Sequence, residues 1–191
     1  MKNIDLFFEY LTKLFPEAKC ELNFNSSFEM LIAVMLSAQC TDKIVNQVTK
    51  KLFKKYNKPQ DFTALKQEEL EKFIFSCGLY HSKAKNIIEM SKQLIENYGG
   101  NIPHNAKEME KLKGVGRKTA NVVCSYVYNE KVLGVDTHVH RVLNRIGFVC
   151  EKTALKTEEA FVKKYKKYQR YIERFFIFFI FFNIFFFDFN R

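Results

Sequence analysis

Residues 112–120 read LKGVGRKTA, which is the most informative segment of the chain. The pattern predicts that one helix ends before the first glycine and that a second helix begins at about Arg117. Glycine permits positive φ and close approach of the backbone, so Gly114 and Gly116 favour a turn that offers N–H groups to an anion such as a phosphodiester. Val115, between them, is expected to plug the turn into the core. The alternative is an ordinary helix pair with glycines for tightness, and a lone Gly-x-Gly would favour it.

Helical patterns continue on both sides of this stretch. Apolar residues between positions 28 and 36 recur at helical spacing and predict a helix that packs one stripe on a core. Ser26 and Glu29 have the spacing of a capping box, Asp42 is expected to cap the next helix, and Gly99-Gly100 is expected to end a later one. Further helices are predicted over Glu68–Phe75, Ala84–Tyr98, Ala106–Leu112, Lys118–Tyr128 and Val139–Ile146. No alternating strand pattern of useful length occurs, so the chain is expected to be all-α.

The composition indicates a folded, basic protein. Apolar residues make up 47% of the 191 residues, which excludes a disordered chain, and 27% charged residues argue against a membrane protein. Lys and Arg outnumber Asp and Glu by 31 to 21, which gives a formal net charge of +10. This excess favours a polyanion such as nucleic acid as the partner. The alternative is that the charge only keeps the protein in solution.

The cysteines and histidines do not suggest a metal site. The 5 cysteines are odd in number, widely spaced and preceded by no secretory leader, which favours a reduced, intracellular setting. No CxxC-type pair is present to start a metal site. His138 and His140 lie two positions apart on a predicted helix and so point in different directions. Both are expected to be structural or to face nucleic acid.

Four motifs resemble, in order and spacing, those of the endonuclease III-type DNA glycosylases, a helix-hairpin-helix family. They are LSAQ at 36–39 with Thr41-Asp42, GLY at 78–80 with Ser82-Lys83-Ala84, LKGVGRKTANVV at 112–123, and VDTHV at 135–139 with Arg141-Val142. The match runs from about Glu21 to about Thr157. Four motifs in the family's order argue against coincidence.

The resemblance implies an all-α fold of two helical subdomains with the active-site cleft between them. A six-helix barrel-type domain is expected over 20–130, with its helix-hairpin-helix at 106–128, and a second helical domain carrying Asp136 over 1–19 plus 131–174. The implied activity is that of a bifunctional DNA glycosylase and AP lyase of base excision repair. Its substrate would be double-stranded DNA with oxidised pyrimidines or abasic sites. The expected protein is a monomer in the bacterial cytoplasm, associated with the nucleoid and not with a membrane.

Lys118 is, by the same resemblance, the catalytic nucleophile. A glycosylase that is also a lyase needs an amine that attacks the sugar C1′, expels the base and stays bound as a Schiff base. A helix N-terminus disfavours the charged ammonium and so favours the reactive amine. The alternative is a lysine that grips phosphate or is merely solvated. Relatives that remove adenine from mismatches lack this lysine, so Lys118 argues against mismatched adenine as the substrate. Mismatched thymine, or abasic sites alone, remain alternative substrates.

Asp136 is implied to be the essential carboxylate. It directly precedes a predicted helix, so an N-cap is the alternative, and both roles can hold at once. A capping carboxylate is held in place and can stabilise positive charge that develops on the sugar. It can also accept a proton from Lys118 or from attacking water.

The residues implied to bind DNA lie at the hairpin and at two other positions. They are Gly114, Val115, Gly116, Arg117, Gln39 and Leu79. Gln39 and Leu79 match positions from which the family inserts wedges into the space left by an extruded nucleotide. The alternatives are a helix C-terminal cap for Gln39 and a core position for Leu79.

The chain departs from the family at its C-terminal end. Relatives commonly carry four cysteines, spaced C-x6-C-x2-C-x5-C, that hold a [4Fe-4S] cluster; this array is missing here, so no cofactor is predicted. Residues 175–191 are instead mostly Phe and Ile, in a run too short and too interrupted for a membrane span. Because Phe runs arise from poly-T codons, we hypothesise a shifted reading frame and a truncated second domain. The alternative function is then a DNA-binding but inactive or unstable product.

Overall fold

The structure is a computed structural model that describes residues 4–14, 16, 20–165 and 168. Within these ranges it contains ten α-helices and no strand, which confirms the all-α prediction. The helices are α1 Ile4–Leu14, α2 Ser27–Ser37, α3 Asp42–Leu52, α4 Pro59–Thr63, α5 Gln67–Ile74, α6 Tyr80–Tyr98, α7 Ala106–Met109, α8 Arg117–Tyr128, α9 Thr137–Arg145 and α10 Ala154–Tyr165. No helix of the described ranges has the length and apolar character needed to cross a bilayer. The Phe-rich stretch 175–191, with the hypothesis made about it, lies outside the described residues.

The chain divides into two compact units. The first, which we call the hairpin unit, is Leu22–Tyr128 and contains α2 to α8. The second, the terminal unit, combines Met1–Glu21 with Asn129–Arg191 and contains α1, α9 and α10. The six-helix barrel and the catalytic roles assigned to these two parts of the sequence stay predictions.

Helix α2 forms the centre of the hairpin unit. It packs against α3, α6 and α8, and every residue from Phe28 to Leu36 is buried. The predicted single stripe was therefore too narrow, because this almost wholly apolar helix is covered on all sides. At its start, Ser26 Oγ accepts a hydrogen bond from the Glu29 N–H at 3.1 Å, while the Glu29 carboxylate accepts from the Asn25 N–H at 2.6 Å. The predicted capping box is therefore formed, except that the Glu29 carboxylate accepts from the N–H of Asn25, the residue before the cap, and not from that of Ser26.

Two helix starts differ from prediction. The N-cap residue of α3 is Thr41, and Asp42 is the first helical residue, so the cap predicted at Asp42 was wrong by one position. Helix α6 begins at Tyr80, ahead of the predicted start at Ala84. The reason is that Leu79 takes up a left-handed conformation (φ 59°) and turns the chain directly into the helix.

Two helix ends show how local hydrogen bonds decide a boundary. Helix α7 stops at Met109 instead of Leu112, because the Leu112 N–H bonds to the Met109 carbonyl at 3.1 Å in a tighter turn. Helix α6 ends as predicted at Gly99, which has φ 59° and donates its N–H to the Leu94 carbonyl. The chain therefore reaches the Gly-x-Gly stretch through turns.

The terminal unit has its own core, built from α1, α9, α10 and the loop after α9. Phe8, Leu143 and Phe161 are almost completely buried there. Tyr168 also packs into this core and donates its hydroxyl to Asp5 Oδ1 at 2.6 Å. Segments far apart in the sequence thus form one folded unit that holds α9 and its N-terminal residues in place.

Candidate active site

The Gly-x-Gly turn lies between α7 and α8 and packs directly on α6. Gly114 has φ 76°, and a Cβ built on it would lie 2.6 Å from Asn86 Cβ. The Lys113 N–H donates to Gln93 Oε1 at 2.7 Å. Val115 is buried, as expected for a plug between the glycines. Glycine at position 114 is therefore required by both conformation and space.

The other side of the turn is open. Gly116 is exposed, and no heavy atom outside its chain neighbours would lie within 4 Å of a Cβ placed on it. Arg117 is also exposed and is the first residue of α8, where the prediction placed the second helix. An exposed backbone beside a helix N-terminus suits an anionic group. Contact of these residues with DNA stays a prediction.

Lys118 occupies the first turn of α8 and is half-buried. The following residues from Ala120 to Ser125 are all buried, so the helix that carries Lys118 is anchored in the core of the hairpin unit. The lysine thus lies at the positive end of a fixed helix dipole, directly after the turn. This placement is compatible with a nucleophilic amine, and that role stays a prediction.

Asp136 is the N-cap residue of α9, which confirms the predicted cap. Its Oδ1 accepts hydrogen bonds from the N–H groups of His138 at 3.0 Å and Val139 at 2.9 Å. Two hydrogen bonds to one oxygen orient the half-buried carboxylate. Asp136 belongs to the terminal unit and Lys118 to the hairpin unit. The catalytic role of the carboxylate stays a prediction.

Gln39 and Leu79, the two predicted wedge residues, come from loops that pack on each other. A Cβ on Gly78 would lie 2.9 Å from the Gln39 carbonyl oxygen. Both residues have left-handed backbone, with φ 53° at Gln39 and φ 59° at Leu79, which is uncommon outside glycine. Leu79 is 60% exposed, so the core alternative for it was wrong. Gln39 is exposed and lies one residue beyond the α2 C-cap, Ala38.

Lys83 is a residue to which the sequence analysis gave no role. It is only 7% exposed, and its Nζ donates to the carbonyls of Leu36 at 2.8 Å and Ala38 at 2.6 Å. Burial lowers the pKa of the Lys83 ammonium group. A signal for it was present in the sequence, because Lys83 falls on the same helix face as the buried Ala84 and Ile87.

The two histidines of α9 have different surroundings. His140 is half-buried, and its Nδ1 lies 2.7 Å from Thr157 Oγ1 and 3.2 Å from Asn144 Nδ2. This network supports the structural interpretation of His140. His138 is exposed, with its Nδ1 3.5 Å from an Arg141 guanidinium nitrogen.

The cysteines do not fit the four-thiolate cluster of the family. All five lie in the described residues: Cys77 and Cys124 are buried, Cys150 is exposed, and Cys20 and Cys40 are half-buried. Within the described part of the chain, no group of three or more His, Cys, Asp or Glu residues is placed to hold a metal ion. The absence of a cofactor stays a prediction.

Comparison of the sequence with known proteins gives a consistent result. The family model for the HhH-GPD superfamily base excision DNA repair protein matches residues 32–167. Endonuclease III of Bacillus subtilis is 48% identical over 166 residues, which cover 86% of this chain and 75% of that protein. Endonuclease III of Haemophilus influenzae is 47% identical over 158 residues, which cover 81% of this chain and 75% of the relative.

Comparison of the structure confirms the helix-hairpin-helix glycosylase fold. A trapped endonuclease III–DNA covalent intermediate, the estranged-adenine complex, matches with a TM-score of 0.85 and 46% identity, covering 92% of this chain and 84% of that one. A non-covalent endonuclease III–DNA complex matches with a TM-score of 0.84 and 46% identity, covering 92% and 83%. A thermostable thymine-DNA glycosylase, at 22% identity and a TM-score of 0.74, shares the fold. The chain therefore belongs to the endonuclease III family, within the HhH-GPD superfamily of base excision DNA repair proteins.

Proposed function

We propose that this chain removes oxidised pyrimidines from double-stranded DNA through a Schiff base on Lys118 and then cleaves the strand 3′ to the abasic site. Family membership makes it a DNA N-glycosylase and AP lyase. The observation that carries the residue-level proposal is Lys118 on the first turn of α8, directly after the hairpin. A protein 46% identical to this chain has been trapped as a covalent intermediate with DNA, which supports a covalent route here.

The proposed reaction uses the Lys118 amine twice. Its lone pair attacks C1′, the bond from C1′ to the base breaks, and the base leaves with that electron pair and takes up a proton. Loss of a proton from nitrogen and opening of the sugar ring then give a protonated imine. The imine acidifies the C2′ proton; its removal forms the C2′–C3′ double bond and breaks the C3′–O3′ bond. Hydrolysis of the imine finally releases Lys118.

Asp136 is proposed to stabilise the positive charge that develops on the sugar as the base departs. It is suited to this because its cap hydrogen bonds at 2.9 and 3.0 Å fix the carboxylate before the substrate arrives. It can also accept the proton that Lys118 must lose before attack. The carboxylate would thus act without any reorganisation of α9.

Binding of DNA is proposed to use the hairpin and the two loops. Gly114, Gly116 and Arg117 would grip a phosphate through backbone N–H groups and a guanidinium, with Val115 as the buried anchor of the turn. Gln39 and Leu79 would fill the space left by the extruded nucleotide, since both are exposed on neighbouring strained loops. Two of the matched structures are endonuclease III–DNA complexes, which supports DNA as the partner of this chain.

Oxidised pyrimidines are the proposed substrate class because the matched relatives are named endonuclease III. We further propose that the chain acts as a monomer in the bacterial cytoplasm, where the chromosome lies. Size-exclusion chromatography with light scattering tests the first point. A stable dimer mass at micromolar concentration would contradict it.

Trapping with sodium borohydride tests the central proposal. Borohydride reduces the imine and links the chain permanently to abasic DNA. The unsubstituted protein is expected to give the covalent product, Lys118→Ala to give none, and the control Lys107→Ala, an exposed lysine of α7, to give the normal amount. Absence of product from the unsubstituted protein at every concentration would contradict the proposal. It would favour the alternative of a DNA-binding product without turnover.

A further inference from the structure

One buried residue, Lys83, contacts both of the loops that carry Gln39 and Leu79. Lys83 Nζ donates to the carbonyls of Leu36 and Ala38, two of the three residues before Gln39, at 2.8 and 2.6 Å. The backbone N–H of the same lysine donates to the Leu79 carbonyl at 3.0 Å. A single residue therefore contacts the backbone next to one strained residue and the backbone of the other.

The packing around this connection leaves little freedom between the loops. A side-chain carbon at Gly78 would come within 2.9 Å of the Gln39 carbonyl oxygen. Cys77, which precedes Gly78, is buried, and Cys40, which follows Gln39, is half-buried. The left-handed φ values of 53° at Gln39 and 59° at Leu79 need such support, because strained backbone persists only where its surroundings hold it.

Burying the charged side chain of Lys83 costs desolvation free energy, which a residue that only fills space would avoid. The residue is only 7% exposed, and none of the salt bridges among the described residues involves its ammonium group. A methionine would fill a similar volume without desolvating a charge. What methionine lacks is donors for two carbonyls at the end of α2, and these are the groups that set the direction of the chain into Gln39.

We propose that Lys83 is a positioning residue for nucleotide extrusion, which holds Gln39 and Leu79 as one rigid wedge. This inference rests on the proposed function. Without the two carbonyl contacts the loops would move apart, and the extruded nucleotide would return to the stack more often. The reacting groups would be untouched, so the loss should depend on how hard the nucleotide is to extrude.

The test compares two DNA duplexes that differ in that cost. One carries thymine glycol paired with adenine, and the other carries it in a one-nucleotide bulge without a pairing partner, where extrusion is easier. Base release is measured in single turnovers with saturating enzyme. Lys83→Met is expected to lower the rate constant about tenfold or more on the paired lesion and less than about threefold on the bulged lesion, since small misplacements of positioning groups have effects of this size.

The matched control is Lys85→Met, an exposed lysine on the same helix, which should leave both rate constants within about twofold. If Lys83→Met fails to fold, Gly78→Ala serves instead, because its methyl group pushes against the Gln39 carbonyl and should produce the same bias. Equal losses on both duplexes, or no loss in a folded variant, would overturn the inference. Inactivity of the unsubstituted protein would contradict the proposed function itself and the inference with it.

Discussion

Lys118 and Asp136 both have proposed catalytic roles, and Asp136 also caps a helix. Lys118 lies half-buried on the first turn of a helix that is anchored by its later residues. Asp136 accepts two hydrogen bonds from the backbone of α9 and is therefore part of the structure. A substitution at Lys118 should affect the proposed chemistry. One at Asp136 affects chemistry, stability or both, depending on the replacement.

For Lys118→Ala we expect complete loss of strand cleavage with DNA affinity retained within about threefold. The reason is that the grip on phosphate is shared among turn amides and several basic residues, of which Lys118 is one at most. The measurement is fluorescence anisotropy with an uncleavable abasic analogue at fixed salt, beside a cleavage assay. An affinity loss as large as the activity loss would make Lys118 a phosphate-gripping residue.

For Asp136→Asn we expect base release to slow by about 100-fold or more while the fold is kept, because asparagine is as good an N-cap as aspartate. Asp136→Ala should lose the same activity and, in addition, about 0.5–2 kcal/mol of unfolding free energy. Single-turnover kinetics and urea unfolding give the two quantities. A near-normal rate for the asparagine variant would remove the carboxylate from the mechanism.

At the level of elements, the two glycines of the hairpin have different tasks. Gly114 has a left-handed φ of 76° and touches α6 at Asn86, so it serves the fold. Gly116 has open space around it and a φ outside the left-handed region, so the fold tolerates a side chain there. If the turn binds a phosphate, the space beside Gly116 is where the anion approaches.

We therefore expect Gly114→Ala and Gly116→Ala to separate stability from binding. Gly114→Ala should lower the unfolding free energy by about 1–3 kcal/mol, through backbone strain and the close contact with Asn86. Gly116→Ala should leave stability within about 0.5 kcal/mol and weaken DNA binding. Thermal unfolding and anisotropy are measured on both variants. A fully stable Gly114→Ala protein, or unchanged DNA binding by Gly116→Ala, would contradict these assignments.

Prediction from the sequence succeeded where the signal is local. The glycine spacing gave the turn at 114–116 and the start of α8, and the residue preceding α9 gave the cap at Asp136. It failed where position in space decides. Periodicity indicates that a helix has an apolar face, and it does not tell that α2 is covered on every side. Nor does it tell which carbonyls Lys83 reaches, since these belong to residues more than forty positions away.

At the level of the whole molecule, the five cysteines report on the integrity of both units. Cys150 is exposed in the terminal unit, and Cys77 and Cys124 are buried in the hairpin unit. Burial raises the pKa of the Cys77 thiol to about 12 from an ordinary value of 9.0. Since the thiolate is the reactive form, Cys77 in the folded protein should be inert at pH values where a free cysteine reacts.

At pH 8 we expect iodoacetamide to modify Cys150 rapidly and Cys77 only after unfolding. Between pH 9.0 and about 12 the unfolded chain releases the Cys77 proton while the folded chain keeps it, so the unfolding free energy should fall as pH rises through this window. Mass spectrometry of peptides after timed labelling measures the first point. Equal labelling rates for Cys77 and Cys150 in native buffer would contradict the burial of Cys77.

The motif order was sufficient to identify the family, because each motif lies on a short segment whose residues are close in sequence. The division into two units was expected only from the resemblance, because the terminal unit is built by contacts such as that of Tyr168 with Asp5. Contacts between residues so far apart leave no period in the sequence. The packing of the segments beside the motifs therefore could not be derived from periodicity.

Helix α6 bonds to the loop before Gln39 through Lys83 and to the hairpin through Gln93. Each residue of an α-helix turns the chain by about 100° and advances it by about 1.5 Å. Insertion or deletion of one residue between Lys83 and Gln93 would swing one of these side chains a quarter turn or more away from its acceptor or donor. Substitutions in this part of α6 can therefore be tolerated, whereas the number of residues between Lys83 and Gln93 must stay the same. Gene variants with a one-residue insertion or deletion there should be inactive.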